Sequence, residues 1–101
     1  MIGTSVTLSK REILDLEIIK EHFDISISSA IRVALKFAEQ VDLTVFISEH
    51  EKGEIKDTIH CSFSQDNYNT IELLAEMYNV SRSKIVGACI KQFVTTIEEV
   101  S

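Results

Sequence analysis

The sequence contains no proline, no tryptophan and only two cysteines, and it has no long hydrophobic run. No stretch approaches the roughly 18 apolar residues of a membrane-spanning helix, so we expect no membrane partner. The cysteines, Cys61 and Cys89, occupy apolar positions and show no CxxC or Cys/His spacing. We therefore interpret them as buried structural thiols in a reducing compartment, and we expect neither a metal nor another cofactor.

Patterns typical of catalysis are also lacking. The histidines His22, His50 and His60 are scattered, and no spacing suggests a Ser/His/Asp set or a carboxylate pair. A domain of 101 residues, 45% hydrophobic and 26% charged, is typical of one soluble globular unit with little room for a cleft. We expect no enzyme activity. No signal peptide is recognised, so we expect a cytoplasmic protein, in the host cell's cytoplasm if the source is viral.

The net charge of −6 argues at first against nucleic-acid binding. The excess of acid is confined to residues 39–57, which hold six acids and two bases, and to Glu98 and Glu99. Residues 1–38 and residues 58–97 are each neutral overall. For nucleic-acid binding, the positions of the few lysine and arginine residues in these two segments therefore matter more than the net charge of the whole chain.

Two segments alternate apolar and polar residues, the pattern of half-buried strands. Residues 58–64 place Ile59, Cys61 and Phe63 on one side, and residues 4–9 place Val6 and Leu8 on one side. Strands this short need a partner, so we predict that the two pair into an antiparallel ribbon.

Each predicted strand is followed by two amphipathic helices. Ser9 and Glu12 form a capping box at the first helix, and Ser26 begins the second. The same pattern returns at an offset of 55, because Ser9 corresponds to Ser64 and Ser26 to Ser81. The apolar stripes of the four helices are Ile13, Leu16, Ile19 and Phe23; Ala30, Ile31, Ala34, Leu35 and Ala38; Tyr68, Ile71, Leu74 and Tyr78; and Ile85, Val86, Cys89, Ile90 and Phe93.

The chain therefore divides into a first unit (1–40), an acidic linker (41–57), a second unit (58–97) and an acidic tail (98–101). Residues 43–47 of the linker are apolar, which leaves either a short strand or a loop open for 43–48. Residues 49–54 are typical of a solvated turn. A unit of about 40 residues is too small to bury a stable core alone, so we expect the two units to share one.

This strand–helix–turn–helix order resembles the ribbon-helix-helix DNA-binding family, that of the Arc and methionine repressors. The resemblance is carried by residues 5–9 with 26–31 and by residues 60–64 with 81–86. It implies an α+β, mostly α fold in which a two-stranded ribbon lies over four helices. Family members are usually homodimers, whereas this chain carries both copies and would form a single-chain pseudo-dimer. A small, isoleucine-rich, proline-free example would suit an archaeal or viral regulator.

The resemblance also implies a transcriptional regulator, such as a repressor, that binds double-stranded DNA. Its ribbon would enter the major groove, and helix starts would anchor phosphates. The implied base-reading residues are Gly3, Ser5, Thr7, Thr58, His60 and Ser62. The implied phosphate-anchoring residues are Lys10, Arg11, Ser26, Ser28, Ser81, Arg82, Ser83 and Lys84. Because the two strands differ, we expect an imperfect palindrome in which Ser5 and His60 act on opposite halves.

Other interpretations of the same residues stay open. The polar side of the ribbon could be only a solvent-exposed face, and the basic residues could be only solvated surface residues. The fold could also serve as a protein-interaction module, as in an antitoxin or a DNA-processing accessory. Self-association on DNA is also left open.

Overall fold

Two strands and five helices follow one another in an order that repeats. The structure, a computed structural model, describes residues 2–38, 42–51 and 56–100. The elements are β1 (Ile2–Ser9), α1 (Lys10–Phe23), α2 (Ile27–Ala38), α3 (Thr44–Glu51), β2 (Lys56–Phe63), α4 (Gln65–Tyr78) and α5 (Arg82–Val100). The protein is thus α+β and mostly helical, with a strand–helix–helix order that occurs twice around α3.

The strands β1 and β2 form a two-stranded antiparallel sheet, which we call the ribbon. Pairing runs from Ile2 opposite Phe63 to Ser9 opposite Lys56, so the predicted pairing is confirmed. The ribbon has one buried and one solvent-facing side because side chains alternate along a strand. The buried side carries Val6, Leu8, Cys61 and Phe63.

The helices pack under the buried side of the ribbon, with α5 in contact with α1, α2, α3, α4 and β1. Both repeats contribute to one continuous core, as expected for units too small to fold separately. Burial of each large apolar side chain stabilises the fold by about 1.5–3 kcal/mol. The largest of these fully buried side chains are Phe63, Leu8, Leu16, Ile19, Ile31, Leu35, Leu43, Ile71, Ile85 and Ile90.

Local capping sets the ends of the first helix of each repeat. The predicted capping box is present: the Ser9 N–H donates to Glu12 Oε1 at 2.8 Å, and the Glu12 N–H donates to Ser9 Oγ at 3.2 Å. Ser64 caps α4 in the same way by accepting from the Asn67 N–H at 3.2 Å. Both helices end at a left-handed residue, Asp24 after α1 and Asn79 after α4.

The linker differs from the prediction, because residues 44–48 form the start of a helix, α3, and Leu43 directly precedes it. The helix extends to Glu51, through the first residues of the predicted turn. Leu43 and Ile47 are spaced by one helical turn and are both buried as α3 packs on α5.

Asp42 accepts hydrogen bonds from the hydroxyl (2.6 Å) and backbone N–H (2.9 Å) of Thr44 at the start of α3, and these bonds lower the pKa of Asp42.

The predicted unit boundaries also shift. The second strand begins at Lys56, inside the predicted linker, and α5 continues to Val100, through most of the predicted acidic tail. Residues 39–41, 52–55 and 101 of these predicted segments lie outside the described residues. No helix within the described ranges combines the length and the apolar character needed to cross a bilayer.

Because both strands of the ribbon belong to one chain, we predict that folding does not depend on protein concentration. The partner of β1 is always present in the same chain, so unfolding should involve no change in molecularity. We expect the melting temperature, followed by circular dichroism, to stay constant over a hundredfold range of protein concentration. A melting temperature that climbs with concentration would mean that the two repeats pair between chains.

Candidate nucleic-acid interface

The solvent-facing side of the ribbon brings together all six residues predicted to read bases. They form three directly opposed pairs across the strands: Gly3 with Ser62, Ser5 with His60, and Thr7 with Thr58. Thr7 and Ser62 are half-buried, and the other four are exposed. The face is polar over its whole length, and it carries no large apolar side chain.

The central pair is hydrogen-bonded. Ser5 Oγ lies 2.8 Å from His60 Nδ1, which leaves Nε2 of this exposed imidazole for a ligand. The two residues are 55 positions apart, so they are counterparts in the two repeats and mark the centre of the internal symmetry. From such equivalent middle positions we expected the two residues to act on opposite halves of a DNA site, and their direct hydrogen bond favours a shared action at the centre.

The starts of α2 and α5 are hydrogen-bonded to the two edges of the ribbon. Ser28 Oγ accepts from the backbone N–H of Ser62 at 3.2 Å, and Ser83 Oγ accepts from that of Thr7 at 2.9 Å. A two-stranded ribbon has outward N–H groups on both edges that lack a strand partner, and these serines satisfy one on each side. Each serine hydroxyl can still donate its own hydrogen to another acceptor.

Both of these helices begin at the predicted serine caps. Ser26 Oγ accepts from the Ser29 N–H at 3.2 Å, and Ser81 Oγ accepts from the Lys84 N–H at 3.3 Å. The first N–H groups of a helix have no carbonyl partner within it, and the helix dipole makes this end positive. The structure therefore holds one positive helix end against each flank of the polar face.

Arg82 follows the cap of α5 and folds back over α4. Its Nη1 donates to Glu72 Oε1 at 2.7 Å and to the Tyr68 hydroxyl, and the guanidinium carbon lies 5.4 Å from the Tyr68 ring centroid. Both partners of this ion pair are about half exposed, so the pair contributes little to stability. Arg82 is near a flank of the ribbon, but its charge is partly compensated there.

The two basic residues at the start of α1 differ in their surroundings. Lys10 is exposed at the first helical position, whereas Arg11 Nε lies 3.7 Å from a carboxylate oxygen of Asp15. Burial raises the pKa of Asp15, although the nearby charges of Arg11 and Lys91 oppose that rise. Lys84 is half-buried in the first turn of α5.

Sequence reasoning missed Arg32, which lies one turn into α2. Its Nη2 donates to Ser29 Oγ at 2.9 Å and its Nε to the Ser28 carbonyl at 3.3 Å. A guanidinium therefore stands near the start of α2, as Arg82 does near the start of α5. The missed signal was the helical spacing of three and four residues from Ser29 and Ser28.

The rest of the described chain offers little for other chemistry. Both cysteines are buried, and burial raises the pKa of the Cys61 thiol. Within the described ranges, no group of three or more His, Cys, Asp or Glu residues could hold a metal ion. Scans against protein-family models, curated proteins and solved structures return no match to this chain.

The serine contacts at the ribbon edges predict that removing either hydroxyl destabilises the fold to a similar extent. Ser28→Ala and Ser83→Ala should each lower the free energy of unfolding by about 0.5–1.5 kcal/mol, because each leaves a strand N–H without its acceptor. Urea denaturation measures the change. Thr95→Ala is the control: the hydroxyl of this exposed threonine donates to the carbonyl one turn back in α5, so its loss should cost little. Serine variants as stable as the control would contradict the edge contacts.

Proposed function

We propose that this protein is a tandem ribbon-helix-helix regulator that binds double-stranded DNA in a sequence-specific manner. One observation carries the proposal. A polar two-stranded face is flanked on both edges by helix starts, and each helix start is hydrogen-bonded to the ribbon through a serine at the same position of its repeat.

The ribbon has dimensions and chemistry suited to the major groove. Its strands are about 4.8 Å apart, and the groove is about 12 Å wide and accepts a two-stranded ribbon. Serine and threonine hydroxyls can donate to or accept from any base edge, and the outer nitrogen of His60 adds a directional group at the centre. These side chains supply the base-reading part of the proposed interface.

The flanks supply the phosphate-binding part. The strands of DNA backbone rise on both sides of an occupied groove, where the starts of α2 and α5 would meet them. Free N–H groups, the helix dipole and the remaining hydroxyl hydrogens of Ser28 and Ser83 all favour an anion there. Arg32, Arg82 and Lys84 add positive charge at these ends, while most of the protein's excess negative charge lies in residues 39–57.

The ion pair between Arg82 and Glu72 predicts opposite effects for its two members. Arg82→Ala should weaken binding to all duplexes about equally and lower the salt slope by roughly 1, because one phosphate contact is lost. Glu72→Gln should strengthen non-specific binding, because it releases Arg82 from its carboxylate. Lys84→Ala should act as Arg82→Ala does. Fluorescence anisotropy across a salt series measures all three.

Lys36→Ala is the matched control, since Lys36 is exposed in the last turn of α2, more than two helical turns from the start of that helix. It removes the same charge but should leave the salt slope unchanged. Equal slopes for wild type, Arg82→Ala and Lys84→Ala would be inconsistent with the proposed docking.

The central hydrogen bond predicts that Ser5 and His60 act on the same base pairs. His60→Ala should relax the preference at one or two central positions by about 1–3 kcal/mol if the contact is a good one, with little effect on the salt slope. Ser5→Ala should relax the same positions, and the double variant should lose less than the sum of the two because they form one contact. Sites selected from random duplexes provide the comparison. Effects on opposite halves of the site would refute this shared position.

A second candidate function is a protein-interaction module. Phe23, predicted on an apolar stripe, is 44% exposed, and Phe37 is 51% exposed. Both rings pack on Phe93, at centroid distances of 5.7 and 4.8 Å, and exposed apolar patches of this kind mark protein contacts. Salt-dependent retention of DNA separates the two functions, because a pure interaction module shows none.

A further inference from the structure

The internal symmetry of the ribbon gives its polar face two ends that differ in side-chain size. On one side of the central pair stand Gly3 and Ser62, which we call the glycine end. On the other side stand Thr58 and Thr7, the threonine end. By the 55-residue offset, Thr58 is the counterpart of Gly3 and Thr7 that of Ser62. The glycine end adjoins α2 and the threonine end adjoins α5.

The missing side chain leaves space at the glycine end. A shallow, largely polar depression of about 310 Å³ is lined there by Gly3, Ser5, Ser28, His60 and Ser62, among others. At the threonine end, the side chains fill the face, since the hydroxyls of Thr7 and Thr58 lie 3.5 Å apart. The two ends therefore present different surfaces to anything that lies along the ribbon.

We infer that the ribbon takes an asymmetric DNA site whose two flanks are specified to different degrees, and that Gly3 and Thr58 determine the difference. This inference rests on the proposed function. At the threonine end, two methyl groups and two hydroxyls reach the base edges, and threonine methyls make apolar contact with the 5-methyl group of thymine. At the glycine end the opposed pair has only one side chain, that of Ser62, so fewer protein atoms can contact the base edges, and the depression leaves room for water between protein and DNA.

Gly3 can be substituted without disturbing the fold. A Cβ atom placed on Gly3 would meet no atom within 4 Å, and the residue does not have a positive φ. Threonine also has a higher propensity than glycine for β-strands. The Gly3→Thr variant should therefore melt no lower than wild type, so a change in its DNA preference would not result from unfolding.

The test is selection of bound sites from random duplexes with wild type, Gly3→Thr and Thr58→Gly. For wild type we expect one strongly and one weakly constrained flank around the central base pairs. Gly3→Thr should raise the weak flank to match the strong one and make the site more palindromic. Thr58→Gly should weaken the strong flank. Replacing thymine by deoxyuridine in the strong flank should lower wild-type affinity by about fourfold, the effect of one buried methyl group.

The outcomes separate this inference from the proposed function. A wild-type protein that retains no duplex at low salt would refute the proposed function, and the inference would fall with it. A wild-type protein that binds DNA with two equally constrained flanks would overturn the inference alone. So would a Gly3→Thr variant that binds with wild-type affinity and an unchanged site.

Discussion

The pairing of β1 with β2 is the interaction on which the rest of the structure depends. It joins segments that begin at Ile2 and Lys56, so a long loop must close before the strands can pair. The ribbon alone could not offset that entropy, because an isolated pair of strands is marginally stable. Its buried side therefore needs the helices beneath it, and its open edges need the hydroxyls of Ser28 and Ser83.

The elements that could be predicted are those with strong local signals. The period-two alternation of the strands, the capping box of Ser9 and Glu12, and the serine caps of α2 and α5 each arise within a few residues. Each signal also occurs twice at the same offset, which supports the assignment in both repeats. The offset further implied the register, because counterpart residues such as Ser5 and His60 pair across the ribbon.

The features that could not be predicted depend on contacts between distant segments. Residues 44–47 are Thr-Val-Phe-Ile, a run that suits a strand as well as a helix. Burial of Leu43 and Ile47 in the core, as α3 packs on α5, favours the helix. Sequence placed Arg82 at a helix start, but its position over Tyr68 and Glu72 follows from the packing of α4 beside α5.

Because both repeats lie in one chain, counterpart positions can differ, and burial limits where they do. In the core, counterparts keep their apolar character: Leu16 with Ile71, and Leu35 with Ile90. On the polar face, glycine at position 3 corresponds to threonine at position 58, and both positions are exposed. A core side chain must fill a closed space at native density, whereas an outward side chain has no such neighbour within the protein. Differences between the repeats on this face are therefore free to follow whatever the face contacts, which is why it is the informative surface for function.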